Sequence, residues 1–227
     1  MPLMSSSFTP GQAQATVNSF QDKGQRQIAQ AELYYFSARA EECKDIAELY
    51  LQDKDIYLRL SAGLLYSFSN LTLGNPAAAK MGFRNIQECL HQTEQNPSSN
   101  EAMASCVFAN YLAMVLMHLP TDKLPPLRDF LPYLPAGLRA YGIYVLAHNA
   151  YLHEEYANAL GLCQSVFLML DGCYRHGISL LCNHHEPGQP EERERSQRCS
   201  HDSLEHGEGR RISGTFYRAS WFNAWTD

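Results

Sequence analysis

The sequence predicts an all-α protein, a helical-repeat solenoid that ends in a disordered or irregular C-terminal tail. Three observations predict this fold. Apolar residues recur at helical spacing along most of the chain, and no alternating strand pattern bounded by hairpin turns occurs in its helical part. The helical stretches also come in pairs of roughly 35 to 40 residues joined by short turns. With 227 residues the chain is long enough to bury a substantial core.

The first helical pair is predicted from composition. Residues 16–40 are rich in Ala, Gln, Glu and Leu and have no internal proline, which favours one long helix. "EECKDIAELYL" then continues as a second, shorter helix. We therefore expect a flexible N-terminus at 1–15, a helical-repeat domain at 16–171 and an irregular tail at 172–227.

The second pair has the clearest helical signals. In "DIYLRLSAGLLYSFSNLTLG" one face carries apolar residues at steps of four, four, four and three. Gly74 is placed to end this helix as a C-cap residue, and Asn75-Pro76 is placed to begin the next as an N-cap followed by a first-turn proline. The members of the apolar face are Ile56, Leu60, Leu64, Phe68 and Leu71.

The second half of the helical part begins with "EAMASCVFANYLAMVLMHL", which is apolar on nearly every side and is predicted to be buried. "PTDKLPPLRDFLPYLPAG" follows with five prolines, so it can hold only short helical pieces. "GLRAYGIYVLAHNAYLHEE" and "EYANALGLCQSVFLML" form the last pair. Five of their residues fall at the spacing of the tetratricopeptide (TPR) pattern, which predicts a TPR-like solenoid. They are Ile143, Leu146, Ala147, Tyr156 and Ala159.

Composition excludes several classes of function. The net charge of −6 lacks the basic footprint of a nucleic-acid-binding domain. The polar start has no signal-peptide core, and the most apolar run is too short and interrupted to span a bilayer. We expect a cytoplasmic protein that is not an enzyme and needs no cofactor, since no phosphate loop or dinucleotide fingerprint is present. His148 and His153 lie near two glutamates, but a solvated helix end is favoured over an acid–base pair there.

Several phrases resemble the helical-repeat region of LuxR-type transcriptional regulators of the MalT-like kind. They are "AELYYFSARAEECKDIAELYL", "RLSAGLLYSFSNLTLGNPAAAK" and the run from "HLPTDKLPPLRDFLPYLPAG" to "CQSVF". The resemblance covers roughly residues 28 to 174 and is most specific in "LPPLRDFLPYLP". It implies repeats that sense a ligand or a partner, followed by a DNA-binding helix-turn-helix. This chain departs from the pattern after Tyr174, so we expect it to bind no DNA itself.

A groove along the repeats would hold a protein or small-molecule effector. Tyr141, Tyr144, His148 and Tyr151 are the candidates for its lining, because aromatic residues are favoured in binding surfaces. The alternative to a regulator fragment is a free-standing adaptor that scaffolds other proteins. We also expect self-association through the apolar face of the last repeat near Leu170. The alternative is that tail residues such as Ile178, Leu180 and Leu181 cover this face.

The tail contains a cluster of possible metal ligands, namely Cys182, His184, His185, Cys199 and His201. Structural zinc sites usually leave two to four residues between the members of a ligand pair. "CNH" and "CSH" leave one, and the tail lacks the apolar residues that pack a small zinc module. We reject the zinc site and predict no metal.

The tail also differs in composition from the rest of the chain. From Gly172 onward it has seven arginines and no lysine, whereas all five lysines lie in the first 123 residues. Codons permitted for "HDSLEHG", read one base later, encode "MTAWNMA", and the continuation resembles the family's next repeat. We therefore interpret the tail as an out-of-frame product. The alternative is a genuine polar extension around "EPGQPEERERSQR".

Overall fold

The computed structural model describes residues 12–169, and all regular secondary structure in this range is helical. The predicted all-α class is confirmed for these residues. None of the described helices is both long and apolar enough to cross a membrane. Within residues 12–169, a 3-10 helix at Leu131–Tyr133 accompanies nine α-helices: α1 (Ala13–Ser19), α2 (Lys23–Phe36), α3 (Ala40–Glu48), α4 (Ile56–Thr72), α5 (Pro76–Gln95), α6 (Asn100–Leu116), α7 (Leu127–Phe130), α8 (Ala136–Leu152) and α9 (Tyr156–Met169).

Polar side chains fix where several of these helices begin. The Asp22 carboxylate accepts a hydrogen bond from the Gln25 backbone N–H at 2.8 Å, so α2 starts at Lys23 and the single helix predicted for 16–40 is divided. The division follows because an N-cap residue needs an extended backbone, which interrupts the helix before it. The predicted start at Asn75-Pro76 is confirmed, with the Asn75 side chain accepting from the Ala78 N–H.

Every second helix from α2 to α8 has the same type of C-terminal end. The chain adopts a left-handed conformation at Ala38, Gly74, His118 and Glu154, with φ between 55° and 78°. In each case the next residue donates its N–H to a carbonyl five residues earlier, at 2.8–2.9 Å. This arrangement satisfies helix-end carbonyls that would otherwise lack a donor. The helices that end this way are α2, α4, α6 and α8.

These ends create short reversals of chain direction. Residues 37–39, 73–75 and 153–155 each connect one helix to the next antiparallel helix, which gives the hairpins α2–α3, α4–α5 and α8–α9. The first helices of the hairpins also pack side by side, α2 on α4, α4 on α6 and α6 on α8. The second helix of a hairpin packs on the first helix of the following one, as α3 does on α4 and α5 does on α6.

After α6 the pattern changes. His118 makes the same left-handed end, but no helix of ordinary length follows it. A single turn closes when the Leu124 N–H donates to the Thr121 carbonyl at 2.9 Å. Pro125 and Pro126 then end it, because proline has no N–H to continue a helical ladder. Only the four-residue α7 and the 3-10 helix stand where the other hairpins place a full second helix.

Helices α4 and α5 approach most closely at two glycines. A Cβ added to Gly82 would lie 2.5 Å from the Ser67 Oγ and 3.0 Å from the Gly63 carbonyl oxygen. Arg59 ties the same two helices together nearby. Its Nε donates to the Asn85 Oδ1 at 3.0 Å, and its Nη2 lies 3.1 Å from the Glu88 carboxylate. The α4–α5 hairpin therefore combines close backbone contact with a charge-assisted clamp.

Replacing Gly82 by alanine is expected to lower the free energy of unfolding by about 1–3 kcal/mol, because the new methyl group overpacks the α4–α5 contact. Gly161→Ala is the matched control. Gly161 lies on α9 with no atom within 4 Å of an added Cβ, so alanine there should stabilise by about 0.5–1 kcal/mol through helix propensity. Urea denaturation followed by circular dichroism measures both. Equal effects of the two substitutions would contradict a close α4–α5 approach.

Candidate functional site

The four aromatic residues predicted to line a groove all lie on α8, at successive steps of three, four and three residues. Tyr144 and His148 are buried, each with 2% of its surface exposed, and Tyr141 and Tyr151 are half-buried. The helix face that they share is therefore turned largely toward the protein interior. In this arrangement a bound partner can touch Tyr141 and Tyr151 directly, whereas Tyr144 and His148 lie beneath the surface.

These side chains form part of a column of rings between α6 and α8. The Phe108 ring of α6 meets Tyr141 edge-on at 5.6 Å, and Tyr141 stacks on Tyr144 at 5.9 Å. His148 contacts Tyr144 and also His118, in each case with 6.1 Å between ring centroids. Edge-to-face and offset-stacked rings stabilise a contact beyond the apolar area that they bury. The column joins α8 to α6 along most of its length.

A cleft of about 270 Å³ opens near the C-terminal end of α8, where the full second helix is missing after α6. One wall is the segment that contains Thr121, Asp122 and Arg128, and the other is the α8–α9 hairpin. Seven polar side chains and three apolar ones line it. The apolar residues are Leu146, Ala150 and Leu162, and the polar residues are Thr121, Asp122, Arg128, Asn149, His153, Glu155 and Asn158.

Hydrogen bonds hold part of this lining in place. The Thr121 hydroxyl donates to the Asn149 Oδ1 at 3.3 Å, and the His153 Nδ1 lies 2.8 Å from the Asn149 carbonyl oxygen. Because a carbonyl oxygen can only accept, the His153 Nδ1 must carry the proton, which leaves Nε2 as an acceptor in the neutral ring. The Asn158 amide donates to the Glu155 carboxylate at 2.9 Å.

The charged groups of the cleft do not neutralise one another. Within residues 12–169, Arg128, Asp122 and Glu155 take part in none of the ion pairs. Asp122 and Arg128 are exposed, as is Glu155. The cleft therefore presents one positive and two negative side chains that remain available to a molecule with charges of its own.

Most of the cleft was missed by reasoning from the sequence. For His148 and His153, which lie near Glu154 and Glu155, the sequence favours a solvated helix end over an acid–base pair. His153 and Glu155 line the cleft, whereas His148 is buried in the ring column. No sequence pattern marked Thr121, Asp122 or Arg128 as part of a binding site. The five prolines of residues 120–135 were the available clue, because they exclude a long second helix at this position.

The buried thiols carry no sign of a reactive site. Cys43, Cys89 and Cys106 are buried in the helical core. Burial raises the pKa of Cys43 and of Cys89 to about 11, since the interior disfavours the thiolate. The rejected cluster Cys182, His184, His185, Cys199 and His201 lies outside the described residues. In residues 12–169 no group of three or more His, Cys, Asp or Glu side chains is placed to hold a metal ion.

No protein-family model matches the chain, and no curated protein or solved structure matches it either. Its function is therefore inferred from its own residues and from the sequence resemblance.

The buried thiols should resist alkylation in the native protein. At pH 8 iodoacetamide is expected to leave Cys43 and Cys89 unmodified, because the thiolate is the reactive form. Both should react fully in urea. Mass spectrometry of tryptic peptides measures the difference, and rapid native labelling of Cys43 or Cys89 would contradict the burial.

The raised pKa values of Cys43 and Cys89 also make the free energy of unfolding depend on pH. Because the folded protein holds these two protons more tightly than the unfolded chain does, their contribution to the free energy of unfolding is complete below the ordinary thiol pKa near 9. That contribution is lost as the pH rises from 9 toward 11.

Proposed function

We propose that the chain is the sensory helical-repeat region of a LuxR-type transcriptional regulator, built as a TPR-like solenoid. The main support for a repeat architecture is that the same type of helix C-terminus recurs along the chain. Four alternate helices close with a left-handed residue and the same hydrogen bond, and these helices pack in a row. Stacked hairpins of this kind bury their core between neighbours and expose an extended surface for recognition.

The last hairpin supports a TPR-like packing. Ala147 and Ala159, the small residues of the TPR spacing, are both buried on α8 and α9. Small side chains at these positions let two helices approach closely. The rings of Tyr151 and Tyr156 meet edge-on at 5.6 Å beside the turn between the two helices.

Exposed aromatic side chains support recognition of a partner. At the other end of the row, Phe36 of α2 is 54% exposed and touches Tyr35, whose ring lies 6.4 Å from Phe68 of α4. This cluster spans the ends of two adjacent first helices. Aromatic side chains are enriched in the buried centres of protein interfaces, so the cluster supports a role in binding.

The coding DNA tests the regulator proposal. Codons 165 to 227 and several hundred bases downstream should contain another frame that continues through repeat helices into a helix-turn-helix. The purified chain itself should show no preference for promoter DNA over random DNA in a mobility-shift assay, because no basic reading element is expected. If stop codons close every other frame, the regulator proposal fails and the free-standing adaptor replaces it.

Helix α9 is expected to mediate self-association. Leu168 of α9 is 89% exposed, and Tyr156, Leu160 and Met169 are also exposed on this helix. Leu168→Glu should shift the chain from dimer or larger species to monomer in sedimentation velocity, because it places a charge in an apolar contact.

Leu49→Glu provides the matched control. Leu49 is 72% exposed but follows α3, far along the chain from α9. The Leu49→Glu substitution should leave the sedimentation coefficient unchanged. A wild-type chain that sediments as a monomer at all concentrations would refute this role of α9.

A further inference from the structure

We propose that the cleft between residues 121–128 and the α8–α9 hairpin binds a free α-amino acid with a small uncharged side chain. This inference deepens the proposed function by naming a class of effector, and it rests on that function only for the claim that binding is a signal. The binding site itself is argued from the cleft alone.

Charge is the first part of the argument. Arg128 contributes a guanidinium, and Asp122 and Glu155 contribute carboxylates to the same cleft. A guanidinium matches a carboxylate through two parallel hydrogen bonds, and an ammonium group donates three hydrogen bonds to acceptors such as carboxylates. A ligand with only one sign of charge would face at least one side chain of its own sign. A zwitterion complements all three.

Size is the second part. The cleft volume of about 270 Å³ lies just below the roughly 300–1,000 Å³ of sites for drug-sized ligands. This volume matches a molecule the size of a single amino acid, whereas most of a nucleotide or of a folded peptide segment would lie outside the cleft. Leu146, Ala150 and Leu162 give the cleft an apolar portion that suits a short aliphatic side chain.

The polar atoms add a preference within this class. Thr121 is 5% exposed, and its hydroxyl is directed to the Asn149 side-chain oxygen. That bond leaves the Asn149 amide nitrogen as a donor, and the His153 Nε2 is an acceptor in the neutral ring. A side chain with one hydroxyl or amide group can therefore be hydrogen-bonded without disturbing the existing contacts.

Other small ligands fit less well. The cleft lining contains no Phe, Tyr or Trp ring on which a sugar could stack. A divalent cation prefers several oxygen ligands at once, and no group of three or more His, Cys, Asp or Glu side chains is placed to hold one in residues 12–169.

Isothermal titration calorimetry of the full chain tests the proposal with L-alanine, L-serine and L-glutamine. At least one should bind saturably with millimolar or tighter affinity. L-Alaninamide, which lacks the carboxylate, and N-acetyl-L-alanine, which lacks the ammonium group, should each bind about 10-fold or more weakly than L-alanine, as expected from the loss of a charged hydrogen bond.

Two variants assign the charges to residues. Arg128→Gln should remove the difference between L-alanine and L-alaninamide, and Asp122→Asn combined with Glu155→Gln should remove the difference between L-alanine and N-acetyl-L-alanine. Arg84→Gln is the control, because Arg84 is an exposed residue of α5 that does not line the cleft. Unchanged thermal midpoints confirm that the variants fold.

The proposal is overturned if none of the three amino acids gives saturable binding at tens of millimolar, or if Arg128→Gln binds L-alanine as the wild type does. Failure here is distinguishable from failure of the regulator proposal. If amino acids bind but no helix-turn-helix is encoded downstream, the binding-site proposal stands and the regulator proposal fails. If a helix-turn-helix is encoded but no amino acid binds, the regulator proposal stands and the binding-site proposal fails.

Discussion

The architecture depends on reversing the chain within three residues. At 37–39, 73–75 and 153–155 a helix ends, the backbone becomes left-handed, and an antiparallel helix begins at once. Only Gly74 among the left-handed residues avoids the steric cost, which is about 1–2 kcal/mol for other residues. Packing across each hairpin and closure of the helix-end hydrogen bonds offset that cost. Small residues between the two helices, such as Gly63 and Gly82, let them pack closely after the reversal.

Helix α6 shows what happens when the left-handed helix end forms but no full helix follows it. His118 has the same left-handed backbone, yet the prolines that follow permit only one turn and the short α7. Where the full second helix is missing, a cleft lined mainly by polar residues lies between residues 121–128 and the α8–α9 hairpin. The ring column from Phe108 to His118 keeps α8 packed on α6 despite this gap. The cleft is thus a product of the same rules that build the regular hairpins.

Much of the helical layout was predictable because its signals are local. Gly74, Asn75 and Pro76 act on adjacent residues, and the apolar face of α4 repeats within one helix. The break before Lys23 was missed because it depends on one capping side chain within a sequence of good helix formers. The left-handed backbone at His118 and Glu154 was not predictable, because the residue that usually indicates this conformation is glycine. The cleft joins segments about 30 residues apart in the sequence, so it could not be predicted from α8 alone. Tyr144 is buried and Tyr151 is half-buried although both lie on α8, and this difference depends on the packing of other elements against the helix.

The side-by-side row of first helices has a consequence for how the chain acquires its structure. Each hairpin packs mainly on the hairpin that precedes or follows it in sequence. Chains dominated by such local contacts close short loops before long ones and fold quickly. During synthesis, α2 and α3 can pair while α4 is still being made, and every later hairpin then adds to a surface that already exists. Because each hairpin packs on its neighbours in sequence, folding can begin at any of the described hairpins and spread along the row.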